Sequence, residues 1–516
     1  MKGKNNISCF LLLINMILLI GCSGVSETTL RIAIKEKAAI FDPLILENTE
    51  HDIIYRSIFE TLINVENSYI SPVLAQNWQS YGDSLFVVNI KEDILFSNNV
   101  LLTINDVYNS FQRALNYQNS YLKPYAVFID SLSTLNNSLY IYYNDFSVIF
   151  ELLDRVPIYH SEVLNQLYYD EFIQTYPLST GEYFLYYHDE NIIRLRKNIY
   201  HRNFENNKQS ADIVEIIFEP DEYQQYGKFL NGDIDIIFGL PIFVYEEAIN
   251  NPNLRIVEID NNSFIVLMLD GVRAVSPDIN LPRNPLIDKR VRQAIDYAIN
   301  VEGYIESVLK GKANRLILPS FRNIKGYPSE INKDTNNYDL EHSRKLMSEA
   351  GYSDGFQIKI TAKECIDTIF LSEFIKESLK EINIIVSFEF LDEIDFIEKI
   401  ESSAVSAIYG NFIFNQHFSM EELLSKFFYF PRSHYRGSHN YMNYNVPVIQ
   451  GLIDALLAMR EFDSVRPIFY TRLSELIREE TLILPFFQAQ KLIVSNKNVI
   501  FYYRENYNFI DIRIKK

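Results

Sequence analysis

Strand-length apolar runs and amphipathic helical stretches are mixed from one end of this 516-residue chain to the other. Short segments of alternating or continuous apolar residues are typical of strands. The predicted strands cover residues 30–34, 85–90, 139–143, 213–218 and 264–269. The chain has no low-complexity linker and no internal repeat. The mixture therefore predicts an α/β fold.

Three helices have recognisable caps. Thr103 is followed three residues later by Asp106, and both Asp288 and Asp339 precede stretches in which apolar residues recur at helical spacing. Gly351 follows the third stretch, in the position where a left-handed residue ends a helix. We therefore expect helices to begin just after residues 103, 288 and 339.

The first 22 residues predict export and lipidation. Lys2 and Lys4 precede an apolar run of about 14 residues, which is shorter than the roughly 20 of a membrane-spanning helix and typical of a signal peptide. The run ends in Leu19-Ile20-Gly21-Cys22, which resembles a bacterial lipobox. We expect a signal peptide over 1–21, acylation of Cys22 and a lipidated tether over 22–26. The mature protein would be anchored on the periplasmic or cell-surface side of a membrane. The alternative is an ordinary export signal with an incidental cysteine.

Size and charge exclude other classes of protein. Removing 21 of 516 residues leaves 495, too many for one simple core, so two or three domains are expected. The formal net charge of −19 opposes binding to nucleic acid. Cys365 is the one cysteine of the body, so an internal disulfide is not possible.

Aromatic residues are abundant but uninformative at this level. The chain has 35 Tyr and 36 Phe but one Trp. Together with abundant Asn and Ile, this indicates a compositional bias that fills core and surface, in preference to an aromatic platform for sugars.

Six short stretches follow one another in a distinctive order. They are Pro72-Val73-Leu74-Ala75-Gln76-Asn77-Trp78, Leu102-Thr103-Ile104-Asn105-Asp106-Val107, Thr180-Gly181-Glu182-Tyr183, Gly232-Asp233-Ile234-Asp235, the stretch 284–300, and the stretch 338–356 with its Ala350-Gly351-Tyr352 and Asp354-Gly355-Phe356. In this order they resemble the family 5 extracellular solute-binding proteins, the dipeptide-, oligopeptide- and nickel-binding components of ABC importers. The resemblance covers nearly the whole mature chain.

The resemblance implies a two-lobed α/β fold of the periplasmic-binding-protein type, with a third, inserted domain. The first lobe is expected at 27–52, 178–264 and 482–516, the inserted domain at 53–177, and the second lobe at 265–481. A peptide or similar small solute would be buried when the lobes close, and the permease subunits of an importer would receive it. The resemblance implies a monomer with no cofactor and no catalytic residue.

The ligand contacts depart from the family pattern. Peptide-binding relatives hold the α-amino group with an aspartate, but the corresponding stretch 409–419 has neither Trp nor Asp. This puts free-amine recognition in doubt, and an uncharged or differently charged solute would suit the stretch. We expect contacts from Phe412, Asn415, Gln416 and His417. Further contacts are expected from Phe41, from Lys363 and from Tyr444, which is predicted to lie on a cleft-facing loop. Trp78 is expected in the core of the inserted domain.

Three features of the sequence bear on other functions. Gly351-Tyr352-Ser353-Asp354-Gly355 fits a nucleophile elbow, but the predicted helix precedes it and the predicted strand follows it, the reverse of what an elbow needs. His434 and His439 match no trusted zinc spacing, so no metal ligand is assigned, although a metal chelate held by polar groups stays open. A degenerate relative acting as a ligand sensor or surface interaction protein is the remaining alternative.

Overall fold

The computed structural model describes residues 27–35, 42–45, 49–66, 69–164, 178–260, 263–322, 324, 326–328, 338–413, 419–432, 436–459, 464–501 and 512–514.

The strands run through the whole described chain. They are β1 (Thr29–Ile34), β2 (Ile63–Glu66), β3 (Tyr69–Pro72), β4 (Ala75–Tyr81), β5 (Leu85–Ile90), β6 (Ile129–Leu135), β7 (Ser138–Tyr143), β8 (Tyr183–His188), β9 (Ile192–Lys197), β10 (Ile213–Phe218), β11 (Ile236–Phe238), β12 (Leu254–Asp260), β13 (Ser263–Leu269), β14 (Ala313–Arg315), β15 (Phe356–Lys363), β16 (Ile384–Leu391), β17 (Ala407–Ile413), β18 (Ile483–Asn496), β19 (Val499–Phe501) and β20 (Ile512–Ile514).

The α-helices alternate with them. They are α1 (Thr49–Ile58), α2 (Ile104–Asn116), α3 (Ile149–Arg155), α4 (Ser161–Leu164), α5 (Glu222–Leu230), α6 (Tyr245–Ile249), α7 (Lys289–Ala298), α8 (Val301–Ser307), α9 (Leu340–Glu349), α10 (Ile366–Lys380), α11 (Glu393–Glu401), α12 (Met420–Phe428), α13 (Pro447–Ala458) and α14 (Arg466–Glu480).

The predicted strands and helix caps are confirmed. Helix α2 begins after Thr103, whose backbone N–H donates to Asp106 Oδ2 at 2.7 Å. Asp288 and Asp339 accept backbone N–H groups at the starts of α7 and α9. Gly351 has φ +83°, so the chain leaves α9 through a left-handed residue. Helix α9 precedes the Ser353 stretch and β15 follows it, the reverse of an elbow.

Strand β18 joins two halves of one continuous sheet made of β1 and β8–β18. Its residues 483–489 pair with β13 and β14, and its residues 490–496 pair with β11 and β12. We call the half with β1 and β8–β12 the first lobe and the half with β13–β17 the second lobe. The expected two-lobed α/β fold is confirmed, and the chain passes between lobes along β18 and at the β12–β13 junction.

The second lobe is covered on both sheet faces. Every residue of β13 is buried. Ile265, Leu267 and Leu269 belong to one apolar cluster, and Phe264, Val266 and Met268 belong to another. Because successive side chains of a strand point to opposite faces, helices must pack on both sides of this sheet.

The part of the chain between α1 and β8, here the inserted domain, carries a separate sheet in the order β4-β5-β7-β6. Its core is continuous with that of the first lobe, since one cluster contains Val88 and Ile141 together with Ile32 and Val214. Trp78 packs against this core, edge-to-face with Phe150 at 6.5 Å between ring centroids. The predicted domain borders themselves stay predictions.

Candidate functional site

Helix α3 of the inserted domain holds a buried ion pair. Arg155 Nη2 lies 2.6 Å from Glu151 Oε2, and only 2% and 12% of the two side chains are exposed. Arg155 Nη1 also donates to the hydroxyl of Tyr125 at 3.3 Å. Two charges are therefore kept out of water, and this is favourable only where partners surround them.

Helix α12 of the second lobe lies across from this pair. Ser419 caps α12, and its backbone N–H donates to Glu422 Oε2 at 2.8 Å. Burial raises the pKa of the Glu422 carboxyl above its usual range, and the charge of Arg155 acts in the opposite direction. Because Arg155 acts on Glu422, the inserted domain and the second lobe approach each other here.

Lys426 lies one turn further along α12. Burial lowers the pKa of its ammonium to about 8, although the carboxylates of Glu422 and Glu151 favour the charged form. Glu151, Arg155, Glu422 and Lys426 thus form one set of acids and bases drawn from two domains. We call these four residues the interdomain charge cluster.

An aromatic wall adjoins the cluster. The half-buried ring of Phe412, near the end of β17, lies 5.0 Å from the ring of Phe427 and 5.5 Å from that of His439. Burial lowers the pKa of His439 to about 3, with the charges of Lys426 and Arg432 acting in the same direction. His439 is therefore neutral at physiological pH and contributes an uncharged ring.

The arrangement suits an amphoteric solute. Buried charges are stable only when paired, so the acids and bases of the cluster can exchange partners with a ligand that carries both signs. The aromatic wall would cover an apolar portion of the same molecule.

The residues predicted from the sequence fall into three groups. Phe41, Asn415, Gln416 and His417 lie outside the described residues, as does Cys22. Phe412 lies in the aromatic wall. Lys363 ends β15, with 48% of its side chain exposed and its Nζ 3.0 Å from a carboxylate oxygen of Glu393. The structure therefore brings Phe412, but not Lys363, to the interdomain charge cluster.

Tyr444 is not on a cleft-facing loop surface. Its side chain is fully buried in an apolar cluster of the second lobe. The hydroxyl lies 2.9 Å from the backbone carbonyl oxygens of Leu269 and Leu482. The ring therefore has no exposed surface that could contact a solute. Its hydroxyl instead links the loop that precedes α13 to the end of β13 and to the segment that follows α14.

Sequence reasoning missed Arg155, Glu151, Glu422 and Lys426. The capping box of Ser419 and Glu422 is a local signal for the start of α12, but it does not indicate a role in a site. Nothing in the local pattern around Arg155 indicates a partner about 270 positions further along the chain. The one usable signal was the presence of three charged residues, Glu151, Asp154 and Arg155, in a seven-residue helix whose other residues are apolar.

A cavity lies wholly within the second lobe, apart from the interdomain charge cluster. It has a volume of about 340 Å³ and is lined by α7, β14, the end of α14 and the start of β18, including Asp296, Arg315 and Arg478. None of its lining residues belongs to the interdomain charge cluster or to the first lobe. In the described parts of the chain, no three His, Cys, Asp or Glu side chains converge as metal ligands. Nor does any helix there combine the length and apolarity needed to cross a bilayer.

Comparison with known proteins places the chain in a family. Residues 69–429, more than half of the chain, match the bacterial extracellular solute-binding proteins, family 5 Middle. The chain belongs to this family. Family members are extracytoplasmic solute-binding components of ABC importers.

Individual relatives are distant. The chain is 24% identical to heme-binding protein A of Haemophilus influenzae over 347 residues, 61% of each chain. It is 21% identical to the nickel-binding protein NikA of Staphylococcus aureus over 72% of this chain and 73% of that protein. The alignment thus spans about three fifths of the length of the heme-binding relative.

A solved structure shows the same fold over a wider span. The periplasmic binding protein DppA of Helicobacter pylori, in complex with the peptide STSA, matches with a TM-score of 0.74. The match covers 95% of this chain and 99% of that one at 18% identity.

Proposed function

We propose that this protein is a lipid-anchored carrier that binds a small amphoteric solute, such as a short peptide, between its lobes and delivers it to an ABC importer. The interdomain charge cluster carries the proposal, because it supplies buried acids and bases from two domains to one site. The relatives named above are described as binding heme, nickel or peptide. We propose no chemical reaction for the site.

The charges suggest how the solute would be oriented. Arg155 and Lys426 are suited to a carboxylate, and Arg155 offers the planar fork that binds one in a bidentate manner. Glu422 is suited to an ammonium group. It lies a few residues beyond the stretch that carries the amine-binding aspartate in peptide-binding relatives. We propose that Glu422 takes over that role, which the stretch 409–419 lacks.

Closure of the lobes would complete the site. Contacts between lobes beside β18 support a defined closed form: Lys312 Nζ lies 2.7 Å from Glu258 Oε1, and Asn314 Nδ2 lies 2.8 Å from Asp260 Oδ1. A solute that contacts both sides favours the closed form by the difference in its affinity for the two forms. An importer can then distinguish loaded from empty protein by shape.

The N-terminal sequence supports anchoring. Lys2, Lys4, the short apolar run and Gly21-Cys22 have the order of a lipoprotein signal. Acyl chains on Cys22 would hold the protein near the importer, and two chains bind far more stably than one. Mass spectrometry of the protein from its own membrane tests this: an acylated N-terminal Cys22 is expected, and an unmodified mature N-terminus would contradict the anchor.

The first test of binding is native mass spectrometry of the mature chain from Ser23, purified gently after export. A bound small molecule that carries both an acidic and a basic group is the expected result. Calorimetry with that molecule then compares Arg155→Met and Glu422→Gln with the wild type.

Each of these variants should weaken binding by about 2 kcal/mol or more, because a charge of the solute is left buried without its partner. Glu377→Gln is the matched control, since its side chain is 74% exposed and pairs with Lys380 on the surface of α10. Unchanged affinity in Arg155→Met and Glu422→Gln would remove the cluster from the site. A co-purifying solute without charge would overturn the amphoteric class but not the carrier function.

A further inference from the structure

The sheet of the inserted domain has one face turned away from the core. Trp78, Val88 and Ile141 point inward, so their neighbours along each strand point outward. The outward positions are Asn77, Gln79 and Tyr81 on β4, Leu85, Val87 and Asn89 on β5, Ser138, Tyr140 and Tyr142 on β7, and Ser131, Ser133 and Leu135 on β6. We call this set the outer sheet face.

None of these side chains is charged, although 22% of the chain is Asp, Glu, Lys or Arg and the net charge is −19. The nearby charges lie at the ends of the sheet. Asp83 is in the turn between β4 and β5, and Asp130 at the start of β6 accepts from Asn144 Nδ2 at 3.0 Å. The outer sheet face therefore offers no ionic partner to a nucleic acid, an anionic lipid or a charged peptide.

The face is ordered into chemically different rows. One row places Leu85 between Tyr81 and Tyr142, which are 51% and 38% exposed. The two tyrosines are two strands apart, about 10 Å. Another row is a chain of hydrogen bonds in which Asn89 donates to Asn77 Oδ1 and Ser138 donates to Asn89 Oδ1.

Composition alone did not favour an aromatic platform for sugars, but the arrangement of these rows does, and we infer that the outer sheet face binds an uncharged glycan chain. Tyrosine rings stack on the C–H faces of pyranose rings, and the separation of Tyr81 and Tyr142 is close to the length of a disaccharide unit. The amide and hydroxyl row matches sugar hydroxyls, which both donate and accept. A protein partner would be held by a large apolar anchor near the centre of the interface. Val87, the central aliphatic side chain, is only 8% exposed, and Leu135, which is 60% exposed, lies at the end of the edge strand β6. This is a second binding function, independent of solute capture between the lobes.

Calorimetry of the mature protein with cellotetraose and with chitotetraose tests the inference. Binding of at least one tetrasaccharide is expected. Tyr81→Ala and Tyr142→Ala should each weaken it about tenfold, equivalent to about 1.4 kcal/mol per ring. Tyr223→Ala is the matched control, because Tyr223 lies on α5 in the first lobe and is also 51% exposed. Fluorescence of Trp78 reports whether each variant keeps the fold of the inserted domain.

Ser133→Lys gives an independent check, since it adds a long charged side chain to an exposed position without removing any packing. It should abolish binding. The inference is overturned if neither tetrasaccharide binds, or if the Tyr81, Tyr142 and Ser133 variants bind as the wild type does. Self-association that is lost in these variants would also overturn it, because the occupant would then be a second copy of the chain.

Discussion

Glu60 offers a sharp test of how charge stabilises the contact between the inserted domain and the first lobe. Its carboxylate lies between Arg202, with Nη1 2.9 Å from Oε2, and His201, with Nε2 3.5 Å from Oε1. Burial by itself raises the pKa of Glu60, but the hydrogen bond of His201 and the charge of Arg202 outweigh it. The pKa falls from 4.5 to about 2. Replacing Glu60 with Gln keeps the shape and removes the charge.

The expected loss follows from the pKa. One pKa unit corresponds to 1.36 kcal/mol, so the charge of Glu60 contributes about 3 kcal/mol to the free energy of unfolding at pH 7. Because the pKa is lower in the folded than in the unfolded state, this stability is complete above about pH 4.5. It is lost as the pH falls towards 2, and less than half of it is left at pH 3.

Urea unfolding followed by tryptophan fluorescence measures the difference. The single tryptophan, Trp78, packs on the same apolar cluster that contains Phe59, the neighbour of Glu60. Glu60→Gln should unfold at clearly lower urea at pH 7, and the gap to the wild type should shrink by about half at pH 3. Glu205→Gln is the control, since this carboxylate is 75% exposed and its pairing with Lys208 contributes little. Equal midpoints at pH 7, or an undiminished gap at pH 3, would refute the reasoning.

Three further predictions concern the second lobe. Tyr444→Phe should lower the free energy of unfolding by about 1 kcal/mol, because it removes one buried hydroxyl donor. It should leave the solute affinity measured by calorimetry unchanged. If binding weakens while stability is unchanged, Tyr444 does contact the solute. The affinity of the wild type for an acidic solute should fall about tenfold between pH 7 and 9, because Lys426, with its pKa of about 8, loses its proton in this range. If the affinity of Lys426→Met falls by a similar factor, another group is responsible. Lys312→Met combined with Asn314→Ala should enlarge the radius of gyration of the solute-free protein in X-ray scattering, because contacts to β12 are lost. Lys345→Met is the control: it removes an exposed ion pair within α9 and should leave the radius of gyration unchanged.

Much of the fold could be predicted because its causes are local. Short apolar segments, alternating in β5 and nearly continuous in β10, marked these two strands at their observed bounds. The starts of three helices could be predicted from the capping residues Thr103, Asp288 and Asp339, because a cap satisfies backbone N–H groups within three residues of itself. The turn after Phe96 is also a local effect. Asn99 adopts the left-handed conformation there, with φ 67°, and asparagine tolerates this conformation, so the turn forms without a glycine.

The candidate site could be predicted only in part. Phe412 lies in a stretch whose position is set by the resemblance, and the structure places it in the aromatic wall, but its contact with a solute stays a prediction. Lys363 has a surface partner in Glu393, the first residue of α11, which lies 30 positions further along the chain and which no local pattern specifies. Tyr444 was placed on a cleft-facing loop, yet its hydroxyl meets carbonyl groups of two distant segments. Burial of a loop residue depends on what packs over it, and that is a property of the tertiary structure.

The sequence by itself determined the α/β class, the order of the elements, the helix caps and membership of the solute-binding family. These depend on periodicity, on capping and on short motifs in order, which act over a few residues. Only the tertiary structure decided that Arg155 faces Glu422 and Lys426, that Tyr444 is buried, and that neutral side chains from four strands share one face. Such juxtapositions arise from strand pairing and domain contact between residues far apart in the chain, and no local interaction encodes them.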